Sequence, residues 1–497
     1  LIFNKIQYTI FFLITMDFKR VLSTKTNVKQ QNECHRLFKV DSYMKKTYRF
    51  LILLLFCTVT LQAAAAGKDS TAVIKKGWTF GALPSIGYNT DLGFQYGALA
   101  EFYNYGDGST FPQYKHLMYV EANYTTKRSG LFRFFYDSKY LIPGVRVTLD
   151  LSYVPEAMAD FLGFNGYRSV YNPVWGKTGE TGYLSRAFYK MKKDFFRATA
   201  DFQGTIAGNL SWNAGLGVFN YRADEVNIDF INRNKAEEKK LPTTDVQPTL
   251  YNYYAQWGLI KANELHGGTH PFVRAGLTFD SRNRPNNPNR GIWADAFLTY
   301  FGAFGEQKEY NHLTLNASFR HYVPVWGDRI IFAYRLGYQG SLWGNTPFYM
   351  KNYMATLFTK RANYEMLGGA NSLRGIVRNR VTGDGYAYAN VEFRVKLVSF
   401  KIARQAFYIG INPLFDIGYI TDQVEWNRSE AELRALTAAS GVRYEDFFSD
   451  KDGWHMSAGA GLKIAMNENF ILSVDFAKAF KKQDGNTGLY IMLGYMF

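Results

Sequence analysis

Residues 386–397 read YAYANVEFRVKL, and the alternation in that stretch decides the fold. Ala387, Ala389, Val391, Phe393, Val395 and Leu397 fall on one side of an extended chain. Tyr386, Asn390, Glu392, Arg394 and Lys396 fall on the other. Successive side chains of a strand point to opposite faces, so period two marks a strand with one apolar and one wet face. The same pattern runs through 145–153, where Val145, Val147, Leu149, Leu151 and Tyr153 alternate with Arg146, Thr148, Asp150 and Ser152. It recurs at 456–466, where glycine and lysine take the wet side.

Working outward, sixteen such segments cover the chain: 78–88, 92–104, 115–127, 130–139, 144–154, 194–205, 209–222, 271–281, 291–303, 310–322, 329–341, 385–397, 404–420, 454–466, 469–480 and 488–497. A stretch at 250–260 is read as part of a long insertion. Most segments have the roughly 9–11 residues that a tilted strand needs to cross a bilayer. An even strand count suits a closed single-chain barrel. The connections mostly agree: brief ones between segments 4 and 5, 6 and 7, 10 and 11, and 14 and 15 face long ones at 155–193, 223–270, 342–384 and 421–453, with 105–114 and 282–290 as longer turns on the brief side. A soluble sandwich would break into domains of about 100 residues with linkers between them. The expectation is therefore an all-β, sixteen-stranded antiparallel transmembrane barrel, closed so that every backbone group pairs within lipid.

Toward the amino end, MKKTYRFLILLLFCTVTLQAAAA (44–66) has the basic head, apolar core and small-residue end of a signal peptide. Residues 1–43 read as an upstream extension, 67–76 as a short periplasmic linker and 77–497 as the barrel. Cys34 and Cys57 both precede the expected cleavage point, which leaves no disulfide, thiolate metal site or cysteine nucleophile after it. Of the formal +16, residues 1–66 carry ten Lys and Arg against three Asp and Glu, so +9 remains, without a dense basic cluster. That pattern argues against nucleic acid as a partner.

Four stretches carry a resemblance. They are GGANSLRGIVRNRVTGDG (368–385), LFDIG (414–418), FDSRNRPNNPNRGIWADAFL (279–298) and the terminal GLYIMLGYMF (488–497). Together they resemble the BamA/TamA superfamily of outer-membrane assembly and translocation barrels. The resemblance implies a long sixth extracellular loop, before strand 12, that folds back into the lumen and docks an arginine on acids of the wall. Leu373, Arg374 and Gly375 match that tip, with Ile376 where the family usually has an aromatic. Glu392 matches an acid on the following strand, and Asp416 matches the next more loosely because Phe415 directly precedes it. Parity places both acids opposite Phe393 and Phe415, facing inward. A guanidinium fork suits carboxylates in a partly dry lumen. The turn at 282–290 is assigned a structural role.

Leu489, Ile491, Leu493, Tyr495 and Phe497 share one face of strand 16 and are expected to meet lipid, resembling a C-terminal assembly signal. Pro84 in strand 1 has no N–H to donate, which should weaken its pairing with strand 16. The 1/16 seam is thus the expected weak point. The family's periplasmic POTRA modules find no room between the cleavage point and strand 1, so a periplasmic or outer-membrane partner protein would supply that role. Outer-membrane lipids are the other expected partner, and the Gram-negative outer membrane the location.

Catalytic patterns do not assemble. Gly176-Lys177-Thr178 would need glycine at Tyr171 to form a phosphate loop. His266 and His270 flank Gly267 and Gly268, which disfavours the helix that would align two ligands, and are read as a surface loop. No enzyme, cofactor or metal is expected. The functional expectation is an accessory in outer-membrane protein assembly or translocation; a gated pore and a structural or surface-interaction barrel are the alternatives. The tyrosine-rich loops 155–193 and 223–270 suit either surface binding or a cover over the barrel mouth.

Overall fold

The computed structural model describes residues 74–351, 353, 367–402, 405–468 and 470–497. The signal-peptide reading and both cysteines lie outside the described residues. Strand β1 runs in two pieces, Trp78–Pro84 and Gly87–Asn89. It is followed by β2 Gly93–Asn104, β3 His116–Thr125, β4 Gly130–Ile142, β5 Val145–Asp160, β6 Lys190–Ala207, β7 Leu210–Asp224 and β8 Gly268–Asp280. The second half holds β9 Gly291–Phe301, β10 His312–Trp326, β11 Ile330–Gly344, β12 Gly385–Ile402, β13 Gln405–Asp422, β14 His455–Met466, β15 Phe470–Ala479 and β16 Thr487–Leu493. Every neighbouring pair is antiparallel, and β16 returns to the second piece of β1, closing a sixteen-stranded barrel.

Alternation decides which way each side chain points. Phe102, Val120, Leu149, Leu151, Leu216, Leu277, Leu336, Phe393, Leu462 and Phe476 stand exposed on the outer wall. An apolar belt of that kind is stable only against lipid. The inward positions hold buried charges in pairs. Arg133 donates to Asp150 at 2.7 Å, and Arg274 Nε to Asp201 at 2.7 Å. These pairs survive burial because each charge meets a counter-charge and hydrogen bonds.

At the end carrying the long connections, aromatic side chains close over the mouth. Phe161, Phe164, Phe188, Tyr253, Tyr254, Trp257, Phe447 and Phe448 form one buried cluster. Trp257 lies on the connection after β7, Phe447 on that after β13, and their rings meet edge-on at 5.1 Å. Trp257 Nε1 also donates to Ser440 Oγ at 3.0 Å. The long loops therefore pack on one another as a dome. The stretch at 250–260 is helical, with α2 Leu250–Gln256 capped by Thr249, and α1 Ile228–Asn232 precedes it in the same insertion.

Three expectations need correcting. His270 is not on a surface loop: it is fully buried at the start of β8, where Nε2 meets Tyr349 Oη at 2.8 Å. The regular part of β16 ends at Leu493, not at 497. Tyr495 and Phe497 consequently leave the lipid face, because Gly494 takes a left-handed φ of 82° and turns the chain inward. Leu489 and Leu493 do face outward, and Ile491 is half-buried.

Candidate functional site

The connection between β11 and β12 enters the lumen, and Arg374 stands at its tip with no solvent exposure. Its guanidinium grips Asp416 of β13 in a fork, Nε to Oδ2 at 2.9 Å and Nη2 to Oδ1 at 3.0 Å. Its backbone N–H donates to the same carboxylate at 3.0 Å. Nη1 donates to Glu392 of β12 at 2.6 Å and to Asp475 of β15 at 3.3 Å. Short, charge-assisted bonds in a two-pronged geometry are the strong class of hydrogen bond.

The acids are shared with two further cations. Arg394 donates to the second oxygen of Glu392 at 2.9 Å, and Lys463 of β14 to Asp475 at 2.5 Å. Three carboxylates thus balance three cations, all of them buried. The motif resemblance singles out Glu392 and Asp416, and parity agrees with their inward direction. Neither singles out Asp475 and Lys463, whose inward direction is legible but whose depth relative to the tip is not.

Backbone and packing hold the tip. Gly375 adopts φ 86°, and a Cβ there would stand 2.8 Å from the Ala477 carbonyl carbon. Its N–H donates to Tyr490 Oη of β16 at 2.9 Å, which ties the loop to the last strand. Leu373 and Ile376 are buried with Leu367, Val381, Tyr386, Tyr388 and Ile420. The aliphatic Ile376 therefore fills an apolar recess beside the ion cluster. Gly418 makes room for Leu373, whose Cδ1 lies 2.7 Å from where a Cβ would be. Farther along the loop, Arg378 donates to Glu156 of β5 at 2.5 Å. Arg380 donates to the carbonyls of Gly166, Ser169 and Gln483.

The carboxyl-terminal turn reaches the same network. Arg394 Nη2 donates to the Phe497 carbonyl at 2.6 Å, and its guanidinium stacks over the Tyr495 ring at 3.9 Å. Phe497 packs beside Tyr322, Ile331 and Ala333 on β10 and β11. One arginine thus touches both the acid that holds the loop and the tail turned in from β16.

Pro84 ends the first piece of β1, opposite Ala98 of β2. The closing ladder between β1 and β16 holds two residue pairs, Tyr490 with Asn89 and Ile491 with Tyr88. Thr90 adds contacts to Leu489. The neighbouring β15–β16 ladder holds seven pairs. The first piece of β1 is laddered to β2 on one side, and among the described residues no strand is laddered to its other side.

His455 is also buried, with Nδ1 at 2.6 Å from Asp484 and Nε2 at 3.1 Å from Asp452. A carboxylate at each ring nitrogen leaves neither free to accept a proton from a nucleophile, so this grouping is structural.

A family model described as the Omp85 superfamily domain matches residues 116–497, more than half of the chain. Among solved structures, the fold is similar to BamA from Haemophilus ducreyi lacking POTRA domains 1–3, with 16% identity and a TM-score of 0.50. That match covers 84% of this chain and 70% of the other. It is similar also to CdiB from Escherichia coli, with 11% identity and a TM-score of 0.51, over 86% of this chain and 64% of that one. The chain therefore spans less than two thirds of the length of CdiB. No functionally curated protein matches the sequence.

Proposed function

We propose, from the premise that the chain belongs to the Omp85 superfamily of outer-membrane barrels, that it is an accessory in the assembly or translocation of proteins at the outer membrane. The observation that carries this reading is the two-pair closing ladder beside a first β1 piece with an unladdered edge. A sheet edge with free N–H and C=O groups is a template for another strand. A barrel meant only to be a wall has every reason to close fully. In this reading the Arg374 cluster holds the lumen loop in place while the seam yields.

The test joins a seam lock to a proteome. Tyr88→Cys with Ile491→Cys places thiols on a paired position of the closing ladder. Under oxidation, the locked protein should fail to rescue a host depleted of the wild type, and reduction should restore rescue. Depletion itself should lower the levels of other outer-membrane barrels and leave their precursors in the periplasm. An unchanged barrel inventory would rule out general assembly, and full rescue by the locked protein would rule out an opening seam.

A further inference from the structure

At the rim of the long-connection end, two guanidiniums lie over one phenylalanine ring, and two further cations stand near Arg128. Arg128, in the turn between β3 and β4, lies over the Phe230 ring at 5.0 Å from its centroid. Arg233 approaches the same ring at 5.6 Å. Burial and the charges of Arg186 and Arg128 hold the Lys235 ammonium below its ordinary value, which places those two cations beside it. Among the described residues, none of the four side chains has a carboxylate partner. Their neighbours do find partners: Lys240 takes Glu237 at 2.5 Å, Lys190 takes Asp160, and Lys127 donates to the Thr90 carbonyl at 2.6 Å. The acids nearest in sequence to Arg233 and Lys235 are Asp229, Glu237 and Glu238; all are exposed, and Glu237 is the one paired with Lys240.

The patch is fixed in place. Val226, Ile228, Ile231 and Leu241 pack with Ala187, and with Ala157 and Met158 at the end of β5, against the foot of α1. Ala157 N donates to the Arg128 carbonyl at 3.1 Å. Arg128 itself sits at φ 66°, a conformation that asparagine or glycine would adopt with less strain.

Its height is fixed as well. Phe132 and Tyr153 are stacked and exposed on the outer wall, opposite each other on β4 and β5. Outward aromatics near strand ends mark the boundary between hydrocarbon and headgroups. Arg128 lies in the turn four residues before Phe132, on the mouth side of that aromatic pair and so at headgroup level. We propose that Arg128, Arg186, Arg233 and Lys235 form a docking site for the phosphates of an outer-leaflet glycolipid, with Phe230 as the apolar floor between the guanidiniums. Like-charged side chains held together without acids are stable when an anion completes them, and arginine suits phosphate in particular.

The test uses the purified full-length barrel in detergent and native mass spectrometry. Bisphosphorylated lipid A, dephosphorylated lipid A and inorganic phosphate are the probes. The wild type should retain the bisphosphorylated form, while Arg128→Ser/Arg186→Ser/Arg233→Ser/Lys235→Ser should retain it about tenfold less or weaker still, given the strength of cation–headgroup attraction. Heat-modifiable gel migration shows that this variant is still a barrel, and Lys239→Ser/Lys240→Ser on the same insertion should bind as the wild type does. Equal retention by the fourfold variant, or of the dephosphorylated lipid, overturns the site. Binding of inorganic phosphate without retention of the lipid overturns the lipid assignment.

Discussion

Arg374 is held by interactions that a smaller side chain cannot share out. Removing it leaves Glu392, Asp416 and Asp475 buried with only Arg394 and Lys463 to balance them. Breaking a buried ion pair from one side costs about 3–5 kcal/mol, chiefly through the charge left behind. Arg374→Ala should therefore lower the temperature at which the barrel loses its compact gel migration. Arg374→Lys should recover part of the loss, since an ammonium cannot grip Asp416 with two parallel bonds. An unchanged transition in Arg374→Ala would sink the docking argument. Packing gives a second prediction: Gly418→Val should push Leu373 off its seat, with an overpacking cost of about 1–3 kcal/mol, read in the same assay. Glu392 and Asp416 were legible because the motif resemblance names them and parity tells their direction. Asp475 and Lys463 were not, because parity is silent on where along a strand a folded-in loop comes to rest.

At the scale of elements, β1 and β16 behave unlike the other strands. Continuing their register would place Tyr495 opposite Pro84 and Phe497 opposite Ala82. Instead Gly494 turns the tail into the lumen, where Arg394 holds it. Pro84 could offer Tyr495 no N–H, so zipping that stretch would gain less than an ordinary ladder. Hydrogen exchange should therefore be faster in peptides covering 78–89 and 487–493 than in 456–466 and 470–479. Uniform protection across all four segments would mean the seam is as firm as the rest of the wall. The proline was visible in the sequence as a weakness. The inward tail was not, since strict alternation through 497 gives no sign that Gly494 adopts a positive φ.

Across the whole molecule, the strand count and the two-ended pattern of connections were legible because period two and loop length are local properties. The dome was not, because nothing local says that Tyr- and Phe-rich loops prefer each other to a ligand. One of its struts is sensitive to acid. Glu264, in the insertion after β7, accepts from Phe348 N–H at 2.6 Å and Tyr310 Oη at 2.9 Å, yet burial raises its pKa above the ordinary carboxylate value. A carboxyl whose folded pKa lies above the unfolded one binds its proton more tightly in the fold. Its contribution is full below the unfolded value and is lost as pH rises through the folded one. Exchange of segment 250–257, corrected for intrinsic rate, should slow on acidification, and Glu264→Gln should flatten that dependence.

The dome and the lumen loop are two obstructions held by different side chains and joined where Arg380 donates to the Gly166 and Ser169 carbonyls, and that arrangement decides how a pore could ever open. Trp257 has no solvent exposure and packs with Tyr253, Tyr254, Phe447 and Phe448. Trp257→Ala should cost about 3–5 kcal/mol of loop cohesion, as large aromatic truncations do. The strand ladders do not depend on that ring, so the barrel should persist. In planar bilayers, Trp257→Ala alone should leave conductance low, because Arg374 still pins the lumen loop to β12, β13 and β15. Arg374→Ala alone should leave it low too, because the dome still covers the mouth. The double variant should conduct well above the sum of the two. If Trp257→Ala alone conducts as strongly as the double variant, the lumen loop is no barrier, and the Arg374 cluster serves the stability of the wall rather than closure of the lumen.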